Sequence, residues 1–80
     1  MKTPWRLFRQ PEITAYLVGL REQGIAIRAT VESLKQGVPP EASETEPGVY
    51  IWFESAHWIG FVVDEEEHSI YVTVVEQPQR

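Results

Sequence analysis

The chain has 80 residues, of which 42% are hydrophobic, 11% aromatic and 24% charged, with no cysteine. So short a chain buries only about 60 to 65% of its unfolded surface and has room for one core, which excludes a large enzyme; the ordinary composition excludes intrinsic disorder, collagen-like repeats and coiled coil. The absence of cysteine removes disulfides, zinc fingers and thiol catalysis together. No apolar run approaches the ~20 residues of a bilayer-spanning helix.

Seven Lys and Arg against twelve Asp and Glu give a net charge of -5, unevenly spread. Residues 1 to 37 hold Lys2, Arg6, Arg9, Arg21, Arg28 and Lys35 against Glu12, Glu22 and Glu32, a balance of six minus three, +3. From 38 to 79 there is no Lys or Arg, while Glu41, Glu44, Glu46, Glu54, Asp64, Glu65, Glu66, Glu67 and Glu76 make nine acids. Affinity for nucleic acid comes largely from cations that neutralise phosphates, so the acidic half is a poor nucleic-acid surface. The Met-Lys-Thr-Pro-Trp-Arg start has no apolar stretch or small-residue cleavage site behind it, and the expected location is the cytoplasm.

In chain order, Trp5-Arg6-Leu7-Phe8-Arg9 alternates bulky and basic residues with a period near two, the pattern of a short strand with one face on a core. Pro11 suits the first position of a helix and Glu12 complements its dipole. Ile13, Tyr16, Leu17 and Leu20 follow at helical spacing; Gln23-Gly24 interrupts; Ile25, Ile27, Val31 and Leu34 resume the stripe until Gly37 and Pro39-Pro40 stop it. This predicts a hairpin of two helices over 11 to 22 and 25 to 36, with one long helix weakened at Gly24 as the alternative. Residues 38 to 48, rich in proline and glutamate, are expected to form an exposed acidic loop.

Three β-branched and aromatic runs come next: Val49-Tyr50-Ile51-Trp52-Phe53, His57-Trp58-Ile59-Gly60-Phe61-Val62-Val63 and Ile70-Tyr71-Val72-Thr73-Val74-Val75. Ser55-Ala56 and Asp64-Glu65-Glu66-Glu67-His68 separate them, which spells a three-stranded antiparallel meander. The predicted class is therefore α+β, one domain over 1 to 80, with a short N-terminal strand, a helix hairpin and the meander.

This order resembles the RelE/ParE superfamily of bacterial toxin-antitoxin toxins over most of the chain. Phe8-Arg9-Gln10-Pro11-Glu12 is similar to that family's passage from strand to helix, and residues 27 to 34 to its second helix. The run from Trp58 to Val72, a strand, an acidic turn and a final β-branched strand, is similar to its last hairpin. The resemblance implies a RelE/ParE-like fold, a cytoplasmic role in toxin-antitoxin or defence biology, and, for the nuclease members, ribosome-dependent RNA cleavage by cations on the sheet. Here the arginine that the family typically carries on its third strand aligns with Trp58, and the basic end of the last strand with Val74, Val75, Glu76 and Gln77. A developing phosphorane needs fixed positive charge or donors, so the implied catalytic set is missing. The resemblance then points to action through protein contacts, as a gyrase-directed toxin of the ParE branch would act.

Only His57 and His68 have an unperturbed pKa suited to proton transfer near neutral pH. Glu54 stands three positions before His57 across a tight turn, so the two could form an acid-base pair; the bland reading, a solvated polar residue beside a turn, is favoured. No metal spacing such as H-x-x-x-H occurs, and no metal or cofactor is implied. His68 is expected to offset the acidic turn, and Asp64 to Glu67 to keep a hairpin tip soluble. Arg6, Arg9, Arg21, Arg28 and Lys35 could form a basic strip, but a solvated helix face explains them as well.

The aromatic meander is harder to explain by folding alone. With Ser55-Ala56 as a two-residue turn, Tyr50, Trp52, Ile59 and Phe61 share one face while Val49, Ile51, Phe53, Trp58 and Val62 share the other. Two helices cover one face of so small a sheet, and Gly60 leaves a gap beside Trp58. Trp58, Phe53, Ile51, Val62 and Tyr71 are therefore the candidate partner-binding residues, for an antitoxin, a target protein or a second copy. The competing expectation is that the first strand and residues 38 to 48 fold over that face. A rival functional reading, from the acidic half, is a small inhibitor or nucleic-acid-mimicking module of phage or immunity type.

Overall fold

The first helix forms where the sequence places it. The computed structural model of the chain describes residues 3–25 and 27–78; Lys2, Ala26 and Arg80, which entered the charge and helix readings, lie outside them. Strand β1 (Arg6–Arg9) leads into α1 (Pro11–Glu22), with Pro11 opening the helix, Glu12 in its first turn and Arg21 in its last. Ile13, Leu17 and Leu20 are its buried residues. Tyr16, counted on the same stripe, stays at the rim. The helix stops at Gly24, whose φ of 82° is the left-handed conformation glycine adopts without steric cost. The Gly24 amide donates to Arg21 O at 3.0 Å and the Ile25 amide to Leu20 O at 2.9 Å, a Schellman cap that folds Ile25 back toward the core.

The second helix is shorter than the sequence suggests. α2 spans Arg28–Glu32 and tightens into a 3-10 turn over Ser33–Gln36. The Ser33 hydroxyl donates to Thr30 O at 2.5 Å, a local bond that competes with regular helix, and the β-branched pair Thr30-Val31 favours it little. Ile27, Val31 and Leu34 are nevertheless wholly buried.

The remaining strands are β2 (Ser43–Glu46), β3 (Val49–Glu54), β4 (His57–Asp64) and β5 (Ser69–Glu76), in one sheet of order β1-β5-β4-β3-β2. β3, β4 and β5 form the expected antiparallel meander. Two features correct the expectation. β1 pairs with β5 in parallel, so the sheet is mixed. Residues 38 to 48 are not wholly loop: β2 pairs antiparallel with β3 through Ser43–Ile51, Glu44–Tyr50 and Glu46–Val49, and makes a fifth strand. All four of its residues are exposed, so it contributes backbone hydrogen bonds rather than core. A short, charged outer strand also shields the apolar edge of β3 from pairing with other chains.

One face of the sheet builds the core. Trp52, Ile59, Phe61, Ile70, Val72 and Val75 are buried together with Ile13, Leu17 and Leu20 of α1 and Ile27, Val31 and Leu34. Trp5, Leu7, Ile25, Val38, Ala42, Tyr50 and Val63 pack around them. Both helices thus cover this face and leave the other to solvent.

Candidate functional site

The β3–β4 register fixes which side chains share the uncovered face. Ser55 and Ala56 have φ of 55° and 60°, the paired left-handed residues of a type I′ hairpin turn. Glu54 then pairs with His57, Phe53 with Trp58, Ile51 with Gly60 and Val49 with Val62. Across the next interface Val62 pairs with Tyr71 and Gly60 with Val74. Ile51, Phe53, Trp58, Val62 and Tyr71, the five candidate residues, therefore lie on one side of three adjacent strands. Val62 is half-buried and the other four are exposed, Trp58 by 36% and Phe53 by 49% of their surfaces.

Aromatic pairing gives this face its relief. The Phe53 and Trp58 rings meet with centroids 4.8 Å apart at a tilt of 59°. Phe8 of β1 stacks on Tyr71 of β5 at 5.1 Å and 16°, and the Arg6 guanidinium lies 5.3 Å over the Phe8 ring. Phe8 and Val74 are exposed members that the sequence reading did not include. For Phe8 the signal was present, since it alternates with core-facing Leu7. For Val74 it was not, because its orientation depends on a register shift between Gly60 and Phe61.

That bulge also corrects the expected gap beside Trp58. A Cβ on Gly60 would meet Val74 Cβ at 3.4 Å and Thr73 Oγ1 at 3.5 Å, so two residues of β5 fill the space over the glycine. The Thr73 hydroxyl donates to Gly60 O at 3.3 Å. The competing expectation for the face as a whole does not hold: β1 and β2 extend the sheet sideways as its two edge strands and do not fold across it.

His57 and Glu54 do not form an acid-base pair. Nδ1 of His57 lies 2.8 Å from Ser55 O, which can only accept, so Nδ1 carries a proton; the Glu54 carboxylate accepts from the Ser55 amide at 3.2 Å. His57 is only 2% exposed, on the helix-covered face, with the Tyr16 ring edge-on at 6.5 Å. The expected solvated histidine is therefore a core residue. Its Nε2 is buried without a hydrogen-bond partner, as is Trp52 Nε1, and neither reaches a surface where a substrate would bind. The sequence hid this because a polar residue beside a turn is normally wet.

His68 has contacts that the sequence reading did not foresee. Its ring stacks on Trp5 at 4.0 Å and its Nε2 lies 2.8 Å from Thr3 O, so it also ties the N-terminal segment to the turn. Within the turn, Asp64 accepts from the Glu67 amide at 3.1 Å. Among the described residues no group of three His, Asp or Glu side chains gathers as a metal site. Burial pushes the Tyr50 hydroxyl pKa up, and the Glu44 carboxylate beside it acts in the same direction.

Arg21, Arg28 and Lys35 are exposed, as a solvated helix face requires, but they are not all unpaired. Arg9, Arg28 and Lys35 converge on Glu32, at 3.1 Å and 3.9 Å to Oε1 and 2.9 Å to Oε2 respectively. The hydrogen bond from Lys35 is the main influence holding the Glu32 carboxyl below the usual carboxylate range, helped by the Arg9 charge and opposed by partial burial. Arg6 stands apart on the open face. None of the described Lys or Arg residues lies on β3, β4 or β5, the strands on which the resemblance implied catalytic cations. Among the described residues no helix is long and apolar enough to cross a membrane.

No family model matches the chain, and neither a curated protein nor a solved structure matches it.

Proposed function

We propose that the chain is a RelE/ParE-like toxin-antitoxin or defence-associated protein of the cytoplasm that acts by binding another protein through the open face of its sheet, without ribonuclease activity. The observation that carries this reading is the coincidence of Ile51, Phe53, Trp58, Val62 and Tyr71 on one side of β3, β4 and β5, uncovered by any other part of the described chain. An apolar patch of that extent on a small soluble domain marks an interaction surface, and aromatic anchors near its centre suit one. The element order of strand, two helices and meander supports the family resemblance. The lack of Lys and Arg on β3, β4 and β5 and the buried His57 argue against nuclease action. Expression in a bacterial host is the test: growth arrest relieved by the product of the neighbouring reading frame, and weakened by Trp58→Ala, is expected. Codon-specific ribosomal cleavage would sink the non-nuclease part.

A second reading rests on the acidic edge. Glu44 and Glu46 on exposed β2 and Glu65, Glu66 and Glu67 at the hairpin tip present carboxylates suited to a basic surface, as in a small inhibitor or a nucleic-acid mimic. That protein would be harmless when expressed alone and would co-purify with its target.

A further inference from the structure

On the helix-covered side, three of the five described cations pair with one carboxylate, Glu32, and a fourth, Arg21, lines the same depression as that carboxylate. Arg9 comes from β1, Arg21 from the end of α1, Arg28 from α2 and Lys35 from the 3-10 turn, so the sequence spreads over 27 positions what the fold assembles. With Glu32, these four cations sum to four minus one, +3, in a chain whose total is -5. Both Glu32 oxygens are engaged, Oε1 with the two arginines and Oε2 with Lys35. Each guanidinium carries five N–H donors, so the three arginines hold more donors than their contacts with Glu32 use. Arg21 makes no ion pair among the described residues.

Beside this cluster the surface is concave. A depression of about 500 Å³ is lined by Arg21, Ile25, Arg28, Ala29 and Glu32. A smaller one of about 60 Å³, sharing Arg21 and Arg28, continues past Leu17 and Val18 to Arg9. Together they make a groove with cationic walls and an apolar floor of Val18, Ile25 and Ala29, where Val18 is 48% exposed.

We propose that this groove docks an acidic peptide segment of a partner, with carboxylates on Arg21, Arg28 and Arg9 and an interleaved apolar side chain on Ile25 and Ala29. Charge complementarity selects an anion, because clustered cations repel one another until a counter-charge is seated, and one carboxylate is already held there by the same groups. The apolar floor selects a peptide over a small oxyanion, which would leave Ile25 and Val18 uncovered. The chain's own acidic stretches do not match, since 41 to 46 and 64 to 67 contain no apolar residue larger than Ala42. The groove lies on the opposite side of the sheet from the open face, so it stands whether or not that face binds a partner.

Fluorescence anisotropy with a labelled peptide of repeating Glu-Leu-Leu-Glu tests it. The expected result is saturable binding that weakens with added salt, and that weakens about tenfold or more in Arg21→Gln/Arg28→Gln while Arg6→Gln, which removes one positive charge on the other face, binds as the wild type does. Both arginines are exposed, so the double variant should keep its fold. Val18→Asp, an exposed change in the floor, should abolish binding as well. Absence of saturable binding, equal loss in Arg6→Gln, undiminished binding by the double variant or by Val18→Asp, equal affinity for an all-glutamate peptide, or full displacement by inorganic phosphate would each overturn the proposal.

Discussion

Phe53 and Trp58 sit directly opposite each other on β3 and β4, their ring centroids 4.8 Å apart, and both remain exposed on the side of the sheet that no helix covers. The pair stabilises the hairpin locally, yet Trp58 is not part of the buried core cluster. Trp58→Ala should therefore cost only about 0.5–1.5 kcal/mol, the range of an aromatic pair, and leave a folded domain by circular dichroism. A core tryptophan would instead cost roughly 3–5 kcal/mol, enough to unfold many domains of this size. An unfolded Trp58→Ala chain would place Trp58 in the core and remove the strongest anchor from the open face.

His57 should behave as a structural residue. It is buried on the helix-covered face, and its Nδ1–H bonds the carbonyl of Ser55 inside the turn. Truncation in His57→Ala deletes that bond and leaves a cavity, with an expected loss of about 2–4 kcal/mol in urea unfolding. A side chain held for proton transfer at a surface would show little change in stability.

The open face was legible in the sequence because a two-residue turn fixes parity: once Ser55 and Ala56 form the bend, Phe53 must oppose Trp58 and Ile51 must oppose Gly60. Strand β2 was not legible, since Ser43-Glu44-Thr45-Glu46 has no apolar alternation and pairs only because the edge of β3 offers free backbone groups. The shortened α2 depends on the Ser33 hydroxyl reaching Thr30 O, a choice that hydrophobic spacing does not record. Val74 faces outward through a register shift, and periodicity cannot show such a shift. The convergence of Arg9, Arg28 and Lys35 on Glu32 joins a strand to the helical segment, so the solvated helix face read from the sequence did not show that they share one carboxylate.

The hairpin turn stores strain that one substitution should release. Ala56 has φ of 60°, where a residue with a Cβ costs about 1–2 kcal/mol, against about 0.5–1 kcal/mol for the extra freedom of an unfolded glycine. Ala56→Gly should therefore raise stability by roughly 0.5–1 kcal/mol, read as a higher melting temperature. A lower melting temperature would show that the turn is not the type I′ bend described.

The cluster around Glu32 predicts a pH dependence with a definite sign. Lys35, first by its hydrogen bond, and then Arg9 hold the carboxyl below its ordinary range, so the folded state binds this proton more weakly than the unfolded chain does. The stabilisation is therefore fully present above the ordinary glutamate pKa of about 4.3 and is lost as the pH falls through the lower folded value. The Glu32 side chain is 29% exposed, and solvent screening limits its worth to about 1 kcal/mol. Glu32→Gln should lower stability by about that amount at neutral pH, partly because Arg9, Arg28 and Lys35 then repel one another without a shared anion. Toward acid the two proteins should converge, since a protonated glutamate resembles glutamine in charge and shape. Melting temperatures of both proteins across the acid range decide the matter, and a gap that stays constant down to the lowest pH would show that Glu32 acts through packing rather than charge.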